Sequence, residues 1–324
     1  MTKVWTLSLA ALLLGSAVQA QSPVPAPAIP MPRVDPAAGP AADAGGTGPY
    51  KAVMEAAPGL ATQTIYHPRD LSRWGPKKRL PILVWGNGAC VNVGNRFRYL
   101  LTELASHGYF AVAIGPIGPA ILEGPEPIPA PPAPTGGGPL PVPTHWKQMI
   151  EAMDWATAQE ANPRSPWFHK LDTRKIAVMG QSCGGLQALR ASVDPRTTTS
   201  VILNSGTFPD GRLAGVGADA PRAGLQQLHA PIAFISGDEG DIAWANANSD
   251  FAAINQIPAF RGWAHGIGHT ATYRQANAGL FGRVVTQWLD WQLKGSAASA
   301  RWFKGADCVL CKDPQWVVAR KKID

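Results

Sequence analysis

From residue 61 the chain alternates short apolar runs with segments whose apolar residues recur at helical spacing. "ATQTIYHP" (61–68) and "RLPILVWG" (79–86) read as strands, the second apolar enough to be buried on both faces. "NRFRYLLTELASHG" (95–108) has the i, i+3, i+4 spacing of a helix and closes on glycine, and "YFAVAIG" (109–115) is again a strand. After a proline-rich interruption come a helix (145–160), the strand "KIAVMG" (175–180) and a helix over 185–193. Two strands follow, "TSVILNSG" (199–206) and "PIAFISGD" (231–238), then a helix (247–256), a short strand "PAFRGWA" (258–264) and a long amphipathic helix (273–295). Buried strands separated by helices predict an α/β fold with a mostly parallel central sheet and helices on both faces. Right-handed crossovers bring the carboxyl ends of those strands to one edge, where their loops converge.

Composition changes this picture at the ends and in one insertion. The chain has 324 residues, 45% hydrophobic and 16% charged, with 34 Gly and 31 Pro that cluster in two stretches. Residues 1–20, "MTKVWTLSLAALLLGSAVQA", combine Lys3, an apolar core and small residues before Gln21, and are read as a secretory signal peptide. Residues 21–48 are rich in Pro, Ala and Gly and read as a disordered spacer. The proline-rich insertion over 115–144 is read either as a lid or wall over a site or as a solvated segment without a role. The folded domain is then 49–295 and the tail 296–324. No later run is long enough to span a membrane, so an exported protein, periplasmic or secreted and acting as a monomer, is expected.

The formal net charge of +7 falls to +6 without Lys3, and its only clusters are "PKKR" and "ARKK". Such runs are ordinary solvated surface, and a nucleic-acid partner is not expected. Four cysteines, Cys90, Cys183, Cys308 and Cys311, suggest disulfides in an exported chain. "CVLC" lies in a short tail, not at the start of a helix after a strand, so a structural staple fits better than a redox motif. No nearby ligand set supports zinc.

The chemistry concentrates at "MGQSCGG". Ser182 lies between Gly180 and Gly184 where a strand turns into a helix, at positions where side chains would collide with the neighbouring strand or helix. A serine hydroxyl needs a base and a set of donors for the oxyanion of its tetrahedral intermediate. "ILVWGNGAC" supplies an early strand running into Gly86, Asn87 and Gly88, so the backbone N–H groups of Asn87 and Cys183 are the expected oxyanion donors. "FISGDEGDIAWANA" supplies the acid: Asp241 is favoured, with Asp238 and then Asp210 as alternatives and a helix N-cap as the competing use of Asp241. "GWAHGIGHTATY" supplies the base, His269, with His265 the alternative. Trp85, Trp244 and Trp263 flank these loops. Trp85 and Trp244 are candidate substrate contacts, with core packing the competing reading, above all for Trp85.

The Ser–Asp–His order and the motifs "MGQSCGG", "WGNGAC" and "GHTATY" resemble the α/β-hydrolase superfamily, and most nearly its exported branch of dienelactone hydrolases, cutinases and polyester hydrolases. The resemblance spans about 48–295. It implies an exported serine hydrolase that cleaves a small-molecule or polymeric carboxylic ester through an acyl-enzyme and uses no cofactor or metal. A peptidase or acyltransferase on the same fold, or a non-catalytic binding protein that kept the scaffold, are the alternatives. Where such enzymes often have Met after the nucleophile, this chain has Cys183, and its pairing with Cys90 in the oxyanion loop, leaving Cys308 with Cys311, follows from that comparison. The loop after the acid-bearing strand is one residue longer than the commoner spacing, which leaves Asp238 open.

Overall fold

The computed structural model describes Met1 and residues 45–118, 143–208, 222–269 and 271–324. Residues 2–20, read above as a signal peptide, most of the segment read as a spacer, the greater part of the proline-rich insertion, and Asp210 lie outside the described residues. By compactness the chain divides into Met1–Met31 and Pro32–Asp324, and the features below belong to the second unit.

Among the described residues, nine strands form one sheet: β1 (Ala52–Ala56), β2 (Gln63–Pro68), β3 (Leu80–Gly86), β4 (Phe110–Ile114), β5 (Leu171–Gln181), β6 (Thr197–Leu203), β7 (Ile232–Gly237), β8 (Ala259–Ala264) and β9 (Trp316–Lys321). Their spatial order is β1-β2-β4-β3-β5-β6-β7-β8-β9. The run from β4 through β8 is parallel, while β1, β2 and β9 pair antiparallel with their neighbours. The helices are α1 (Arg98–Ser106), α2 (Lys147–Ala161), α3 (Cys183–Ala191), α4 (Trp244–Ala253) and α5 (Gly279–Lys294), with the single turns α6 (Ala297–Ala300) and α7 (Val309–Lys312) in the tail. This is the α/β-hydrolase architecture.

The unbroken apolar run of β3 follows from burial on both sides. Successive strand side chains point to opposite faces. Leu83 and Trp85 accordingly join the core beneath α1 and α5, while Leu80, Ile82 and Val84 join the core beneath α2, α3 and α4. β5 divides the same way, Ala177 and Met179 on one side and Ile176 and Val178 on the other. A strand covered on one face alone would alternate apolar with polar.

Three features depart from the sequence reading. β1 and β9 were not expected; β9 lies in the tail and pairs with β8 from Ala259↔Lys321 to Ala264↔Trp316. The last long helix begins at Gly279, not near 273, because Asn277, Ala278 and Gly279 take left-handed φ values of 55°, 56° and 51°. Residues 271–274 and 276–278 instead form short 3-10 turns, which carry the chain from the His269 loop to α5.

Both disulfides pair as expected. Cys90–Cys183 joins segments 93 residues apart with Cα atoms 5.2 Å apart, and Cys308–Cys311 closes the tail with Cα atoms 4.9 Å apart. No helix among the described residues is long and apolar enough to cross a membrane.

Candidate active site

The site is assembled at the carboxyl edge of the sheet. β5 ends at Gln181, and Ser182 turns the chain into α3 with φ 53° and ψ −120°, a conformation an L-residue adopts only where the surroundings hold it. Two glycines make room for this turn. A Cβ on Gly184 would lie 2.1 Å from the carbonyl of Gly86, and one on Gly180 would lie 2.2 Å from the carbonyl oxygen of Gly184. The start of α3 therefore packs directly against the ends of β3 and β5, as the G-x-S-x-G spacing predicts. Ser182 N donates to Leu203 O at the end of β6, and Ser205 Oγ donates to Ser182 O at 2.6 Å, so the elbow is fastened from its neighbour strand.

His269 and Asp241 reach this serine from the loops after β8 and β7. His269 Nε2 lies 2.9 Å from Ser182 Oγ, and His269 Nδ1 lies 2.6 Å from Asp241 Oδ1. An ionised carboxylate only accepts, so Nδ1 carries the proton and Nε2 presents its lone pair to the serine hydroxyl. The side chain of Asp241 is fully buried and that of His269 is 11% exposed. Burial alone would push the Asp241 carboxyl up. Hydrogen bonds from His269, Ala243 and Asn204, with the attraction of His269, outweigh it and hold the group below its ordinary value. Asp241 Oδ1 also accepts from Ala243 N at 3.0 Å, a turn contact within its own loop; the N-cap of α4 is Ala243, so the capping use weighed for Asp241 is not the one the structure shows.

A buried cation lies behind the acid. The Arg261 guanidinium donates to Asn248 Oδ1, Gly262 O and Ser236 Oγ at 2.7–2.8 Å. Burial pulls its pKa down to about 10 and Asp241 draws it back up, so it stays charged at neutral pH and favours an ionised Asp241.

The alternatives separate on geometry. Asp238 does not enter the triad: its Oδ1 accepts from Gly240 N and its Oδ2 from Gly266 N at 2.7 Å, tying the acid loop to the turn before His269. His265 is exposed, its backbone N bonded to Gln315 O and its ring 4.9 Å from that of Trp263. Trp85 is corrected to a core residue. It is fully buried, its ring 5.0 Å from that of Phe97 and its indole N–H donating to Asn87 Oδ1, so no face remains for a substrate. Trp244 is half-buried, edge-on to Trp263 at 6.0 Å.

The Asn87 side chain is a brace for the turn. Its Nδ2 donates to Val91 O, Val93 O and Ile114 O, at 3.1, 3.0 and 2.7 Å. The Cys90–Cys183 bridge fastens this turn to the residue after Ser182. Three residues around the triad were not singled out from sequence. Gln181, the variable residue before the serine, donates from Nε2 to His269 O at 3.1 Å. Asn204 donates to the acid directly, and Tyr273 reaches it only through Asn204. The available signal was positional: Gln181 and Asn204 are polar residues at the carboxyl ends of buried strands. No group of His, Cys, Asp or Glu side chains able to hold a metal occurs among the described residues.

Compared with known proteins, the chain matches no family model and no curated protein. Its fold is of the α/β-hydrolase type, and the Ser182–His269–Asp241 hydrogen-bonded network has the geometry of a Ser–His–Asp triad.

Proposed function

We propose that the protein is an exported carboxylic-ester hydrolase acting through an acyl-enzyme. The observation that carries this reading is the continuous chain from Ser182 Oγ through His269 to the buried Asp241, built on a left-handed serine. Ser182 Oγ attacks the ester carbonyl carbon as its proton passes to His269 Nε2. The tetrahedral intermediate collapses by breaking the bond to the alcohol oxygen, which leaves with that proton. Water then attacks the acyl carbon, giving its proton to the same nitrogen, and the bond to Ser182 Oγ breaks as that oxygen takes the proton back and the acid is released. Asp241 keeps Nδ1 protonated and offsets the imidazolium charge while it exists.

In this reading the backbone N–H groups of Asn87 and Cys183 receive the oxyanion. Support comes from the close packing of Gly184 against Gly86 and Asn87, and from the disulfide that holds the two segments together. Trp244, half-buried just after Asp241, is the candidate contact for the acyl or alcohol portion. Export is inferred from residues 1–20 and agrees with two disulfides, which persist in oxidising compartments. The resemblance to dienelactone hydrolases, cutinases and polyester hydrolases makes an ester, small or polymeric, the substrate class.

A fluorophosphonate probe should label the protein at Ser182, and Ser182→Ala should abolish both labelling and hydrolysis of p-nitrophenyl acetate while leaving the circular dichroism spectrum unchanged. Full turnover by that variant would remove the nucleophile. A series of p-nitrophenyl esters of increasing chain length, run beside an insoluble polyester film, sorts the branches: release from the film supports a polyesterase, and activity confined to soluble esters rejects it.

A further inference from the structure

The histidine is one of four donors that hold Asp241. Oδ1 accepts from His269 Nδ1 at 2.6 Å and from Ala243 N at 3.0 Å; Oδ2 accepts from Gly237 N at 3.1 Å and from Asn204 Nδ2 at 2.7 Å. Two of these donors are backbone groups of the acid's own segment, one at the end of β7 and one in the loop that follows it. Asn204 comes from elsewhere, directly after β6, and is fully buried. Its backbone N donates to Ile235 O of β7 at 2.8 Å, and its φ of 44° is a left-handed value that Asn tolerates better than most residues.

Chemistry orients the amide. A carboxylate can only accept, so Nδ2 faces Asp241 and Oδ1 faces away, toward the Tyr273 hydroxyl, which donates to it. Burial, reinforced by the Asp241 charge, raises the Tyr273 phenol well above its ordinary value, so the hydroxyl remains a donor. The ring is gripped edge-on by Phe97 at 5.2 Å and Phe281 at 5.5 Å. Tyr273 also lies four residues beyond His269. The Tyr273–Asn204 bond therefore ties the segment carrying the histidine back to β6, while the same Asn204 holds the acid.

We propose that Asn204, oriented by Tyr273, is a positioning residue for the Asp241–His269 pair. With Oδ2 engaged, the carboxylate cannot rotate to exchange its oxygens, and Oδ1 stays aimed at Nδ1. Without the amide, Oδ2 is left with one backbone donor and the histidine loop loses its link to β6. The catalytic consequence rests on the acyl-transfer reading above; the structural consequence does not.

The test uses the full chain carrying Asn204→Gly, which accepts the left-handed backbone, and Tyr273→Phe, which keeps the packed ring and deletes the hydroxyl. With p-nitrophenyl acetate, kcat should fall roughly 10- to 100-fold in the first and roughly 3- to 10-fold in the second, with KM changing less than about threefold. In proton NMR, the downfield signal of the proton between His269 and Asp241 should move or broaden in both variants. That signal is independent of turnover: an inactive wild type would sink the ester-hydrolase reading and leave this one to be judged on the spectrum. If Asn204→Gly does not fold, Tyr273→Phe carries the test. Unchanged kcat with an unchanged downfield signal, or a loss confined to KM, would overturn the proposal.

Discussion

Asp238 and Asp241 stand three positions apart after the same strand, and their hydrogen bonds divide the work between them. Asp241 gives one oxygen to His269 and is sealed from solvent, whereas Asp238 accepts from two backbone N–H groups and holds the neighbouring turn. Asp241→Asn puts an N–H or a neutral oxygen where the carboxylate stood, so it removes the charge and favours the wrong imidazole tautomer. Its kcat for p-nitrophenyl acetate should fall by roughly 10³–10⁴. Asp238→Ala should cost less than about tenfold, since it loosens a turn without touching the imidazole. Steady-state kinetics on the two variants checks the division, and equal losses would reject it.

At the scale of elements, α4 anchors the segment that follows β6. Asp250 of α4 is fully buried; Oδ2 accepts from Thr207 N at 2.6 Å, Oδ1 accepts from Thr207 Oγ1, and Arg222 Nη1 lies 3.5 Å from Oδ1. The segment so fixed, 204–207, carries Asn204 on the acid and Ser205 on the serine carbonyl. Burial raises the Asp250 carboxyl to about 6, against the opposing pull of Thr207 and Arg222. An unfolded aspartate titrates near 3.9, so the folded state binds the proton more tightly. The stability linked to that proton is fully present below about pH 4 and is lost as pH rises through about 6. Asp250→Asn removes the titration. Between pH 4 and pH 8 the wild type should lose on the order of 2–3 kcal/mol that the variant keeps, read as urea midpoints at both values. A pH-independent difference between the two proteins would contradict this.

Over the whole molecule, the two disulfides do unequal work. Cys90–Cys183 closes a loop with a sequence separation of 93, and Cys308–Cys311 one with a separation of 3. Loop-closure entropy gives about 5 kcal/mol for the first and about 2 kcal/mol for the second in the chain-entropy account. Replacing each pair by serine should therefore lower the thermal midpoint more for Cys90/Cys183 than for Cys308/Cys311. Calorimetry checks the order. The first pair should also reduce kcat, because it joins the loop after β3 to the start of α3 beside Ser182; the second, in the tail, should leave kcat near wild type.

The elements legible in the sequence were those whose physics is local. Strands buried on both faces, such as β3 and β5, announce themselves as apolar runs, and the glycines about Ser182 mark a close approach that any side chain would block. β1 and β9 escaped because an edge strand is covered less: β1 is at best half-buried, and β9 lies among basic residues with Val317 and Ala319 exposed. Spacing alone left Asp238 beside Asp241 and His265 beside His269, since both members of each pair share a loop. Sequence determined the strands covered on both faces, where the serine turns and in what order its partners arrive. Tertiary structure decided which carboxylate meets the imidazole, and brought Asn204 onto the acid with Tyr273, 69 positions away in the chain, onto Asn204. Those contacts form only when crossovers bring separate strand ends to one edge, and a separation along the chain carries no trace of them.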